Sequence, residues 1–387
     1  MSMQMVRVAI VGGGLSGLYA AFLLEQQGIH DYVLQEARDT LGGRIASPSI
    51  APYPQAAGMA KPLDRFDLGP TWFWPAFQPE LDRLIGDLGL RRFEHSEAGD
   101  MLAERSSNEP AMRMRGYASS PTSMRLLGGM GELVDALRRR VNAARIITGQ
   151  AVRRVRTTGS HVEVESTDAA GRATTWLAEH VLLAVPPRLA EAGIEFTPPF
   201  PEALAQQWRE TATWMAPHAK YLAVYDAAFW REQGLSGEAR SAHGPLVEIH
   251  DASMPGGSAA LFGFFGIPAR IRMNVADDVL RAHCRAQLAR LFGPQAAQPK
   301  AEFLKDWALD PYTTVASDLE GASQHGGVPT ASAASGAWNH RLTGIASEWS
   351  PQFPGYVAGA IEAARLGVQP LAARADTPVT SLIQTRP

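Results

Sequence analysis

Three glycines spaced as Gly12-x-Gly14-x-x-Gly17, and an acid, Glu36, are the first residues whose types and spacing point to chemistry. The stretch that holds the glycines, "VAIVGGGLSGLYAAFLL", carries no charge. Gly12 permits a tight turn, Gly14 lets a pyrophosphate approach the backbone, and Gly17 lets a helix pack closely on a strand, with the phosphates at the helix N-terminus. Glu36 follows at about 20 residues, where a carboxylate can accept hydrogen bonds from an adenosine ribose. A membrane span or an export signal fits the same stretch poorly, because the glycines interrupt the apolar run and Arg7 is the only basic residue before it.

These residues need a strand, a helix and a second strand to position them. The apolar run at 6–11 predicts a buried parallel strand, 15–27 a helix with Gly28 at its C′ position, and 32–35 the next strand, ending at Glu36. The polar loop "EARDTLGGRIAS" and the segment "FDLGPTWFWP" come next. Leu81, Leu84, Ile85 and Leu88 then mark an amphipathic helix over 79–90. In "LLGGMGELVDALRRR" glycines again lead into a helix. Two strand-like runs, "VRRVRTT" and "HVEVEST", precede the apolar "VLLAVPP", which Pro186 and Pro187 stop. From 191 to 334 aromatic runs such as "KYLAVYDAAFW" and "AALFGFFG" dominate, and "PGYVAGAIEAARLG" returns to glycines followed by a small-residue helix. Residues 372–387 read as an exposed tail.

The expected fold is therefore α/β, α+β overall. A Rossmann-like dinucleotide-binding domain, discontinuous in sequence (1–76, 115–190 and 335–387), accompanies a mixed sheet-and-helix substrate domain (77–114 and 191–334). With 387 residues, 45% hydrophobic and 19% charged, the chain has the composition of an ordinary globular protein. A net charge of −3 supplies no basic field for nucleic acid or an anionic membrane. The single cysteine, Cys284, cannot form an intrachain disulfide, fits a reducing, cytoplasmic setting, and shares a helix face with Leu280, Leu288 and Leu291. The ten histidines show no metal-ligand spacing, and neither CxxC nor a GxSxG elbow occurs.

In the order "VAIVGGGLSGLYAA", "EARDTLGGR", "DLGPTW", "GGMGELVDAL", "VLLAVPP", "KYLAVYDAAFW", "KDW" and "GYVAGAIEAA", the sequence resembles the flavin-containing amine oxidase family over most of its length. The resemblance implies FAD with its pyrophosphate at Gly12, Gly14 and Gly17 and its ribose at Glu36. It implies positive charge near the phosphates from Arg38 and Arg44, for both of which solvated surface charge is the alternative, and close backbone approach at Gly43. It further implies an adenine contact at Val152, Glu348 near the ribityl and phosphate groups, and Gly69, Thr71, Trp72, Tyr356 and Val357 around the isoalloxazine. Lys220 occupies the position of the family's lysine that holds a water against flavin N5. A lysine in an apolar strand is costly unless it finds such a partner, the alternative being a strand end that points to solvent. Tyr356 matches an aromatic that flanks the substrate amine, and Trp72 and Trp307 are expected to line the same cavity.

Departures from the family pattern qualify the inference. "VASDLEG" lacks the second cage aromatic expected about ten residues after Trp307, a place that also lacks the cysteine of covalent flavin attachment, and Ser347 replaces the usual glycine before Glu348. The expected function is oxidation of a small amine to an imine by hydride transfer to the N5 of a non-covalent FAD, with oxygen as acceptor. The expectation includes no metal, no nucleic acid and no membrane partner. A desaturase or isomerase on the same scaffold, and a flavin-binding protein with altered or lost activity, remain alternatives.

Overall fold

The computed structural model describes residues 4–50, 64–106, 108–116, 118–320 and 327–375; of the tail expected over 372–387, residues 372–375 instead continue the helix Val357–Ala375, and the rest lies outside the described residues. The apolar opening run forms the strand Gln4–Val11, in which Val8, Ala9 and Ile10 are wholly buried, as a strand covered on both faces requires. It pairs in parallel with Tyr32–Gln35 on one side and with Ala173–Leu183 on the other. Ile146–Ile147 continues the sheet beyond Tyr32–Gln35, and Leu342–Gly344 runs parallel to the last residues of Ala173–Leu183.

All these parallel strands end at one edge, at Val11, Gln35, Leu183 and Gly344. The chain leaves Val11 toward one side of the sheet and returns on the other, which makes the carboxyl end of Gln4–Val11 a topological switch point where a ligand crevice opens. Ala173–Leu183 starts earlier than the apolar run at 181 suggests. Its first half pairs antiparallel with Val162–Thr167, which pairs in turn with Ala151–Thr157. That pairing selects the alternation of Thr174, Trp176 and Ala178 rather than a continuous apolar run. The sheet also extends past residue 190, through Glu195–Thr197 beside Ala151–Thr157, and Trp208 of the helix Glu202–Glu210 packs into its core.

Alternate side chains of the central strands feed two cores. Val8, Ile10 and Leu34 meet the helices Leu15–Gln26, Gly131–Arg138 and Val357–Ala375, whereas Ala9, Val11 and Val33 face Trp208, Trp338 and Trp349. A second sheet runs in the order Ala301–Asp306, Ala219–Tyr225, Ala259–Phe265, Leu246–Asp251, Leu235–Ser241, Asp100–Glu104, Met112–Arg115. The helix Asp277–Phe292 covers one face, with Leu280, Cys284 and Leu288 against Tyr221, Ala223 and Leu261. On the opposite face Leu222, Val224 and Phe262 pack on Phe66 and Leu68, while Phe73 of the same connecting segment joins the first core. The segment from 64 to 74 thus touches both sheets.

The closest backbone approach in the turn lies at Gly17, where an added Cβ would sit 2.0 Å from the Gly12 carbonyl oxygen. Neither group can retreat without moving the strand or the helix. Gly17→Ala is expected to destabilise the protein by about 2–4 kcal/mol. Gly28→Ala, at φ +73° with open space around it, should cost only about 1–2 kcal/mol. Urea unfolding of both variants checks the ordering.

Candidate active site

A cavity of about 550 Å³ follows the carboxyl edge of the first sheet and ends against the second. At its first end the chain turns at Gly12, where a φ of +107° and the Ala184 carbonyl oxygen, 2.9 Å from where a Cβ would lie, exclude any side chain. Gly14 precedes the helix Leu15–Gln26 with extended backbone, and no side chain caps the first turn. The helix-start amides are therefore left for a ligand, and the helix dipole favours an anion there. A Cβ on Gly14 would meet nothing closer than Gly43 Cα at 3.8 Å, so this glycine is not demanded by the protein's own packing. Gly43, at φ +57°, brings the second glycine pair against the first, and the Gly42 amide donates to the Gly13 carbonyl at 2.9 Å.

Glu36 is buried on the cavity wall, with Oε2 accepting from the Gly13 amide at 2.7 Å and Oε1 from the Arg38 amide at 2.8 Å. The carboxylate is thus fixed in place while each oxygen keeps accepting capacity. Val152 lies farther along the same wall. The two arginines are neither free charges nor solvated ones. Arg38 donates to Asp310 at 2.6 Å, with Tyr312 under its guanidinium at 5.3 Å. Arg44 forms a two-pronged pair with the buried Glu348, at 2.5 and 3.0 Å. Each arginine therefore meets the cavity already paired, while its carboxylate partner, Asp310 or Glu348, stands behind the cavity wall.

At the far end the wall is made by Gly69, Pro70, Thr71, Trp72, Tyr356 and Val357. Lys220, on Ala219–Tyr225, is only 1% exposed, which disposes of the solvent-facing alternative. Its Nζ donates to Thr71 Oγ1 at 2.6 Å and to the Gly69 carbonyl at 3.2 Å, and lies 3.8 Å from the centre of the Phe262 ring. Burial pulls its pKa from the ordinary 10.5 down to about 7; nearby Asp67 counteracts that shift and Arg125 adds to it. Lys220 itself is not on the cavity surface, which it meets through Thr71 and Gly69.

Trp307 departs from expectation. It is buried behind Gly69, its indole N–H donates to the Leu68 carbonyl at 3.1 Å, and it does not line the cavity. Its ring packs at van der Waals distance behind Gly69, 3.6 Å from where a Cβ would lie, so it supports the loop rather than meeting a ligand; the Arg44 carbonyl, 2.1 Å from that Cβ position, is what requires a glycine there. Tyr356, by contrast, does line the cavity and is 45% exposed. Sequence reasoning missed Trp214, His218, Phe264 and Tyr312, which line it too. Their only sequence signal is aromatic content within 191–334. Burial and the charge of Arg272 lower the pKa of His218, against the opposing pull of Asp306. Among the described residues no His, Cys, Asp and Glu cluster suited to a metal occurs.

A family model described as flavin containing amine oxidoreductase matches residues 111–371, and one for an NAD(P)-binding Rossmann-like domain matches residues 10–88. The chain is 22% identical to a probable flavin-containing monoamine oxidase A of Dictyostelium discoideum, over 79% of this chain and 84% of that one. It is 26% identical to a putrescine oxidase of Kocuria rosea, over 52% of this chain and 44% of that one. Among solved structures, a cofactor-binding redesign of putrescine oxidase superposes with a TM-score of 0.77 at 21% identity, covering 96% of this chain and 100% of that one. Cyclohexylamine oxidase from Brevibacterium oxydans IH-35A gives the same TM-score and coverage at 19% identity. At these identities the superpositions establish the shared fold.

Two outcomes follow from the geometry. Gly14→Val should fold with near-normal stability, because the space is open, yet purify with its flavin largely lost; absorbance of the flavin relative to protein measures this. Lys220 holds fewer protons in the fold than in the unfolded chain between about pH 7 and 10.5, so its contribution to stability rises with pH across that window. Lys220→Met removes this slope. The stability advantage of the Met variant over the parent, read by urea unfolding of flavin-free protein, should shrink as pH rises through the window.

Proposed function

The chain belongs to the flavin containing amine oxidoreductase family, and from that membership we propose that it oxidises an amine to an imine, using FAD held without a covalent bond. The observation that carries this reading is the single cavity that begins at an uncapped helix start and ends at an aromatic wall backed by a buried lysine. When bound, the flavin supplies a two-electron acceptor that takes a hydride equivalent from the carbon bearing the amine and passes the electrons to oxygen as hydrogen peroxide.

The chain's own residues would share the work along the cavity. The amides at the start of the helix Leu15–Gln26 bind the pyrophosphate, and the space an added Cβ would take at Gly14 is the space this group needs. Gly17 and Gly43 permit the two close backbone approaches, Glu36 accepts from the adenosine ribose, and Val152 borders the adenine. Arg44 paired with Glu348, and Arg38 paired with Asp310, fix the loops that frame the middle of the cavity. Gly69, Thr71, Trp72, Tyr356 and Val357 border the ring system. The aromatic wall of Trp72, Trp214, Phe264 and Tyr356 excludes water and orients a neutral amine, since an ammonium has no lone pair to support loss of hydride.

Cys284, the only thiol, lies in the core between Asp277–Phe292 and the second sheet, away from the cavity. The substrate part would lie within the expected 77–114 and 191–334, less Pro79–Asp87, Glu195–Thr197 and Glu202–Glu210, which pack with the first sheet and join the remainder that holds FAD. No described helix is long and apolar enough to cross a membrane.

The test is a screen of primary and secondary amines against the yellow protein. At least one amine should bleach the flavin without oxygen and release peroxide with it, and acid precipitation should leave the colour in the supernatant. A flavin that no amine reduces would overturn the activity; colour held in the pellet would overturn the non-covalent assignment.

A further inference from the structure

We propose that Thr71 relays protons between Lys220 and the cavity, so that the lysine acts on the reaction through the threonine hydroxyl without reaching the cavity itself. This rests on the amine oxidation read from the same site.

The geometry leaves the ammonium of Lys220 enclosed. Its Nζ is engaged by Thr71 Oγ1, by the Gly69 carbonyl and by the face of Phe262, with the Phe264 ring 5.4 Å away. A water could be seated directly on Nζ only by breaking one of these contacts inside a buried, aromatic enclosure, where an unpaired polar group is costly. Thr71 is different. It is 4% exposed and forms part of the cavity wall, and its oxygen already accepts from Nζ. Among the described residues its own hydroxyl proton has no acceptor, so that proton is free to point into the cavity.

The transfer balances without redox change. An Nζ–H proton passes to Thr71 Oγ1 while the hydroxyl's original proton passes to a base in the cavity, either water or the imine product, leaving Lys220 neutral. The reverse exchange recharges it. Both forms of the lysine are populated near neutral pH, since burial has brought its pKa to about 7. The charged groups around it are Asp67, from the segment before Gly69, and Arg125, from Met124–Leu126. Lys305 stands beside it in register on Ala301–Asp306 but donates away, to Asp310. Two strands away, Glu248 and His250 of Leu246–Asp251 hydrogen-bond one another. Ala259–Phe265, the strand between, presents only Phe262 and Phe264 to Nζ.

Thr71→Val keeps the β-branched shape and removes the hydroxyl, and Thr71→Ser restores the hydroxyl without the methyl. In the flavin-loaded protein, Thr71→Val should lower the rate of the lysine-dependent half-reaction by about 10²- to 10⁴-fold, the range of a lost proton-transfer group, with flavin content unchanged. The ionisation near pH 7 should vanish from its pH–rate profile. Thr71→Ser should recover both, and Thr71→Val combined with Lys220→Met should be no slower than Lys220→Met alone, as two members of one relay require.

A second readout needs no turnover. The NMR titration of the Lys220 side chain, assigned by its absence in Lys220→Met, should move to lower pH in Thr71→Val, because the charged form loses an acceptor, and return in Thr71→Ser. Thr71→Ala serves if the Val variant fails to fold. Parent-like rates, pH profile and lysine titration in the hydroxyl-free variants would overturn the relay. If the parent oxidises no amine, the amine reading falls, and the lysine titration still decides whether Thr71 is coupled to Lys220.

Discussion

The contact between the start of the helix Leu15–Gln26 and the turn that follows Gln4–Val11 is the constraint on which the rest of the molecule hangs. Gly17 lies so near the Gly12 carbonyl that no side chain fits, and this proximity holds the helix axis over the strand end. The same turn is tied to everything beside it. The Gly12 amide donates to Gln35, the Gly13 carbonyl accepts from Gly42, the Gly13 amide donates to Glu36, and Ala184 donates to Val11. One short loop thereby sets the positions of two neighbouring strands, the second glycine pair and Glu36. Its own hydrogen bonds are complete on the protein side, and the helix-start amides remain for the ligand.

At the other end of the cavity an electrostatic cost plays the corresponding role. Burying an ammonium in an aromatic enclosure is unfavourable, and Thr71, Gly69, the Phe262 face and the charge of Asp67 offset it. Phe262 shares the lysine's sheet, but the two hydrogen-bond acceptors do not. Lys220 belongs to the second sheet, while Gly69 and Thr71 belong to the segment that touches both cores. Arg38 to Asp310 spans the two parts in the same way, and Arg272 to Asp306 fixes the turn just before it. Buried pairs of this kind contribute little net stability but penalise any arrangement that separates the partners.

Much of this was legible in the sequence, and the division follows range of interaction. The glycine turn, Glu36, the helix at Gly131–Arg138 and the buried face around Cys284 all rest on local spacing, which sequence displays directly. Lys220 was legible as a costly residue, yet its partner Thr71, 149 positions away, was not recognisable as one. Arg44 and Glu348 were read as separate groups because nothing local announces a pair 304 positions apart. Trp307 was misplaced for a related reason. Its residue type signals burial, but which side of the Gly69 loop it occupies depends on how the second sheet docks. The aromatic residues Trp214 and Tyr312 carry no spacing signal at all, since loops rather than periodic elements bring them to the cavity.

Cys284 has a consequence for the lifetime of the protein. A catalyst that passes electrons to oxygen makes its own oxidant, and the side chain most open to attack by peroxide is a thiolate. Here the single thiol is wholly buried within the helix Asp277–Phe292, and desolvation raises its pKa far above the range in which it would ionise. It has neither the charge state nor the access that the attack requires. The protein is in this respect passivated against the by-product of its proposed chemistry, and oxidative inactivation would have to begin at methionine instead. Met5, Met112 and Met114, exposed and away from the cavity wall, would be oxidised long before the thiol, and Met215, which lines the cavity, stands nearest to where peroxide would form.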